Sequence, residues 1–190
     1  MEGKNKPILP PLAERDMDEQ QRRLIAPFID QGRDFAVFRT MLHHPTAMEA
    51  FLGWGGYILS DANSLPPRMR ELAILRTGAR RKCEYEFLRH AVIARQLGLS
   101  DDQLRAIAGE DADKFDGEDA SILLAADELL IDGRLTPLTF QNLRSRFGDK
   151  GAIDLIWTVG QYAQVCMFLN SIKVQADPDI ANDPLRGLVA

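Results

Sequence analysis

Residues 150–174 carry Ile153, Ile156, Val159, Ala163 and Met167 at the three- and four-residue intervals of a helix, with Phe168 next to the last. A helix that is apolar over much of its circumference must be covered on most sides. This one is therefore either the centre of a core or shared with another subunit. The same period returns at Leu72, Leu75 and Ala79, and no stretch alternates apolar and polar residues as a half-buried strand does. These patterns predict an all-α, single-domain helical bundle.

Prolines, glycines and capping residues divide the chain further. Pro7, Pro10 and Pro11 make residues 1–12 an extended arm. A charged helix is expected over 13–31, kinked or split at Pro27 and ending near Gly32. A short apolar cluster, Phe35 to Leu42, stops at His43-His44-Pro45, and a helix over 46–60 contains Gly53, Gly55 and Gly56. Glycines weaken a helix, so close approach by a neighbouring backbone is expected there. Further helices are predicted from Pro67 to about 79, over 83–97 with Gly98 as the stop, and from the Ser100 cap to 108. Two more flank Gly133, over 118–131 and 137–147, the second capped by Thr136.

The chain of 190 residues is 45% apolar and 27% charged, enough for one ordinary core. Its net charge of −5 argues against nucleic-acid binding, which needs a basic face. Cys83 and Cys166 are its two cysteines, too few for a disulfide framework, and read as free thiols in a reducing compartment. No apolar signal core opens the chain, and no uninterrupted apolar run spans a bilayer, so a cytoplasmic protein without a membrane partner is expected.

Within 83–97, Cys83, Glu86 and His90 are three and four residues apart and share one helix face. That face continues through Ile93, Ala94 and Leu97, so a thiol, a carboxyl and an imidazole lie on an inward-facing seam. A buried carboxyl has to be neutralised, paired or hydrogen-bonded. A Glu–His pair one turn apart can pass a proton through one hydrogen bond, which suits general acid–base chemistry. Such pairs also occur on surfaces, and a cysteine also serves as a small hydrophobe, so periodicity by itself leaves the function open.

Glu71, Cys83 twelve residues on, Glu86 three further and His90 four further resemble the signature of the carboxymuconolactone decarboxylase and alkylhydroperoxidase-D-like superfamily. Flanking residues 65–76 and 94–100, and later Val159-Gly160-Gln161-Tyr162 and Leu169-Asn170, are similar too. The resemblance spans 35–176, leaving 1–34 as an N-terminal arm and helix and 177–190 as a C-terminal tail. Alkylhydroperoxidase-D members carry Cys-x-x-Cys where this chain has Cys83 and Glu86, so no disulfide can close within this helix. The Glu-x-x-x-His of Glu86 and His90 is similar to the decarboxylase branch.

The resemblance implies a lyase acting on a small carboxylated lactone or aromatic-derived acid. His90 would be the proton donor or acceptor, Glu86 its coupled partner, Glu71 an orienting or relaying group, and Cys83 part of the pocket wall. An alternative is a thiol peroxidase using Cys83 with an external reductant or Cys166. A third is a non-catalytic small-acid binding or assembly protein. Arg76, Arg80, Arg81 and Lys82 are candidate cations for an anionic substrate, His43 and His44 candidates for the pocket edge, and Trp54, Tyr57 and Trp157 for its walls. Glu71, Glu86 and His90 would also suit a metal as an oxygen–nitrogen set. The resemblance implies a metal-free site, and a flavin or nicotinamide cofactor is not expected, since no Gly-x-Gly-x-x-Gly loop follows a strand. It further implies a homo-oligomer, a trimer or hexamer, around which the N-terminal arm would wrap a neighbour.

Overall fold

A computed structural model describes residues 6–109 and 114–189. Eight α-helices follow a 3-10 turn at Glu14–Asp16: α1 Glu19–Asp30, α2 Ala36–Met41, α3 Pro45–Ile58, α4 Pro67–Arg80, α5 Glu84–Gln96, α6 Asp101–Ala108, α7 Gly117–Ile131 and α8 Pro137–Ile172. No strand occurs among the described residues.

Helix ends follow the local chemistry. Asp18 and Gln21 close a capping box on α1, and Ser100 and Gln103 close another on α6. The Thr136 side chain accepts from Thr139 N–H at the start of α8. Pro27 lies inside α1 without ending it, so the expected split falls instead between the short 3-10 turn and the Asp18 cap. Gly148, at φ 71°, kinks α8 where two separate helices are expected from the sequence.

The hub of the bundle is α4, which packs against α5, α6, α7 and α8. Every residue from Met69 to Gly78 is buried, so α4 has no solvent face and its polar side chains need partners. Arg76 finds them: it forks onto Asp127 of α7 at 2.8 and 2.7 Å and donates to the carbonyls of Ile107 and Gly109, each at 2.7 Å. Arg80 shares Asp127. Gly78 allows the α4–α5 contact, since a Cβ there would sit 3.3 Å from the Phe87 backbone nitrogen.

The first and last described segments pack back on the same bundle. Ile8 N–H donates to Ile172 O, Leu12 N–H to Arg39 O, and Met17 and Ile25 are buried. In the tail, Asp177 and Asp179 pair with Arg89, and Asp183 with Arg95, while Ile180 and Leu185 enter the main core. By length and composition α8 passes for a membrane span, but 61% of its apolar window is buried within the protein, as befits a core helix. Its outer face still exposes Ile153, Ile156, Trp157 and Met167.

Candidate active site

Glu71 faces out of the middle of α4, and Glu86 and His90 come from successive turns of α5, which packs beside it. His90 is held at both nitrogens: Nδ1 is 2.7 Å from Glu71 Oε2, and Nε2 is 3.1 Å from Glu86 Oε1. All three are buried, at 3%, 5% and 6% exposure for Glu71, Glu86 and His90. Burial pulls the imidazole toward its neutral form. Glu71, by charge and hydrogen bond, and then Glu86 overcome this and push its pKa up to about 10. Two carboxylate oxygens facing one ring favour an imidazolium, which alone can donate from both nitrogens.

The three groups form one hydrogen-bonded chain along which a proton can pass. With two protons on the three groups, one proton can sit on Nε2 or on Glu86 without changing the total charge. Tyr162 meets the His90 ring edge-on, with centroids 4.9 Å apart. Its phenol is held protonated, first by burial and then by the nearby Glu86 and Glu71 charges, so it is a neutral wall with a hydroxyl.

Glu71, Glu86, His90 and Tyr162 line a cavity of about 770 Å³. Apolar walls come from Phe35, Phe38, Phe51, Leu52, Ile93 and Val165, a lining suited to a small ring. Phe28 and Arg33 also reach it, so the segment before residue 35 helps to build the site. Sequence reading placed that segment outside the family resemblance and drew no site residue from it.

Cys83 does not join this wall. It is the N-cap of α5, 1% exposed, and its thiol turns toward Cys166 of α8 within a second apolar cluster. The hydrogen bond that the Cys166 thiol donates to Cys83, and then burial, push the Cys166 thiol up, away from the reactive thiolate. Cys83 is thus corrected from a lining residue to one behind the cavity, although the two thiols do meet.

None of the four expected cations lines the cavity either. Arg76 and Arg80 are committed to Asp127, Arg81 donates to Leu130 O, and Lys82 occupies the turn before α5 at φ 50°. Arg33, Arg70 and Arg89 line it instead. His43 pairs with Pro10 O, and His44 caps α3. Trp54 and Trp157 pack edge-on with centroids 5.2 Å apart, and Tyr57 bonds Asp154, all away from the cavity. Of the three α3 glycines, Gly55 has a close neighbour, the Gln161 side-chain amide at 3.4 Å from its Cβ position; Gly53 and Gly56 face open space.

Residues 45–128, which hold Glu71, Cys83, Glu86 and His90, match the carboxymuconolactone decarboxylase family. Among solved structures, an uncharacterized peroxidase-related protein from Ralstonia eutropha JMP134 with an alkylhydroperoxidase D core superposes with TM-score 0.79. It is 20% identical, over 92% of this chain and 94% of that one. A peroxidase-related protein from Silicibacter sp. TM1040 gives 0.79 at 17% identity, over 96% and 97%. A cysteine-to-alanine variant of a debrominase in complex with 2,3,4-tribromopyrrole gives 0.72 at 15% identity, over 91% and 93%. No curated protein matches the chain significantly. At these identities the superpositions establish a shared fold.

Proposed function

We propose that this chain, which matches the carboxymuconolactone decarboxylase family over residues 45–128 and shares its fold with alkylhydroperoxidase-D-like proteins, is an acid–base enzyme of the decarboxylase type, acting on a small carboxylated lactone or aromatic-derived acid. The observation that supports this reading is His90 bonded on both sides by buried carboxyls at the wall of an apolar cavity. When the carbon–carbon bond to the carboxylate breaks, carbon dioxide leaves and the electron pair passes into a conjugated carbonyl as an enolate. The enolate carbon then takes a proton.

Glu86, exchanging a proton with His90 Nε2, is the donor in this scheme. Glu71 fixes the ring through Nδ1 and keeps it cationic, so Nε2 can return the proton to Glu86. Apolar walls exclude water and strengthen these charges. A second reading, thiol peroxidase, has one observation in its favour, the contact between Cys83 and Cys166. Against it, neither thiol lines the cavity.

Turnover separates the two. Carboxymuconolactone, hydrogen peroxide and an organic peroxide with a thiol reductant would be offered to the wild type, Cys83→Ser and His90→Ala. Carbon dioxide release that needs His90 and survives Cys83→Ser is the expected result. Peroxide consumption that needs Cys83, with no decarboxylation, would overturn the acid–base reading.

A further inference from the structure

Among the arginines that line the cavity, Arg70 stands apart. Arg89 is engaged by Asp177 and Asp179 and stacks 3.8 Å from the Phe35 ring centroid. Arg33 is exposed and lies over Phe28. Arg70 is only 8% exposed, yet no carboxylate among the described residues pairs with it; one hydrogen bond, 2.6 Å to the Ser60 carbonyl, holds it.

A buried guanidinium normally has a counter-ion, because removing it from water is costly. The C-terminal end of α3, just before Ser60, offers Arg70 only part of a charge. Its remaining donors can be satisfied from the cavity side. Gln161 lines the same cavity, and neither atom of its buried amide has a partner. One apolar chamber therefore contains a cation without an anion and an amide without a bond.

We propose that Arg70 is the anion-binding residue of the cavity, gripping a carboxylate carried on an apolar ring, with Gln161 beside it as a polar contact. This inference rests on the acid–base reading and narrows its substrate class to ring acids that carry a second carboxylate besides the one lost. Arg70 precedes Glu71 on the same helix, and both Arg70 and the two site glutamates act on the Tyr162 hydroxyl electrostatically. A carboxylate anchored at Arg70 leaves its ring beside Glu86 and His90. The anchored carboxylate is one the reaction retains, since gripping the departing one would stabilise the substrate more than the transition state.

Calorimetric titration with benzoate, and with its neutral isostere benzamide, tests this without any turnover. Wild-type protein should bind benzoate at least tenfold more tightly than benzamide. Arg70→Gln should abolish that preference while benzamide affinity stays the same, Arg70→Lys should keep part of it, and Arg33→Gln should keep nearly all. Equal wild-type affinities for the two ligands would overturn the proposal even if Arg70→Gln failed to fold. So would a preference lost in Arg33→Gln but kept in Arg70→Gln. If benzoate selectivity depends on Arg70 but no decarboxylation is found, the acid–base reading fails and the anion site stands.

Discussion

Replacing Glu71 by Gln keeps the shape of the side chain and an oxygen beside His90 Nδ1 but removes one negative charge. The bond it alters is 2.7 Å long and lies in a buried cluster. Charge centres about 4 Å apart interact by about 4 kcal/mol at an effective dielectric constant of about 20. With about 1.4 kcal/mol per pKa unit, losing Glu71 should lower His90 by about 3 units. The wild-type value of about 10 would then fall toward neutrality. The chain has only three histidines, so imidazole NMR signals can be followed one by one, with His90→Gln assigning its own. Because the folded pKa is raised, the stabilisation from imidazolium is complete below the unfolded value of about 6.5 and is lost as pH rises. In the wild type that loss extends up to about pH 10, and in Glu71→Gln it ends at lower pH. A wild-type His90 that titrates at the ordinary histidine value, or a Glu71→Gln shift below about 1 unit, would refute the argument.

Other substitutions probe the frame around the site. Cys83→Ser puts a hydroxyl into an apolar cluster and should cost about 1–3 kcal/mol in urea unfolding, while the decarboxylation proposed for the site should keep its wild-type pH profile. Asp127→Asn leaves buried Arg76 without its anion and should cost about 3–5 kcal/mol in denaturant melts. Burial opposes ionisation of Asp127, but Arg80 and Arg76 outweigh it and hold the pKa low; its contribution should therefore persist down to acid pH and vanish as pH falls through that lowered value. Gly78→Ala should cost about 1–3 kcal/mol by prising α5 from α4, seen as a lower thermal midpoint; an unchanged midpoint would show that the helices can slide.

Local chemistry, read along the chain, determined most of the helices. Ser100, Thr136, Pro67 and Gly98 act within one turn of themselves, and the structure finds α6, α8, α4 and the end of α5 where they direct. The spacing of Glu86 and His90 likewise determined that they share a face, because three or four residues make one helical turn. Glu71 was legible only through the family resemblance, since its distance from His90 along the chain carries no local signal.

What only the tertiary structure decided is which side chains meet across helices. Cys83 and His90 lie in one stripe, yet Cys83 at the α5 cap turns to Cys166 while His90 turns to Glu71. Charge near the motif pointed to Arg76, Arg80, Arg81 and Lys82; packing gave the first two to Asp127 on α7 and left Arg70 facing the cavity. Phe28 and Arg33 entered the wall from a segment far away in sequence. A sequence specifies which face of each helix is apolar, whereas the identity of a cavity-lining residue depends on how several such faces are rotated against one another. That rotation is set by close packing of the whole core, to which residues from both ends of the chain contribute.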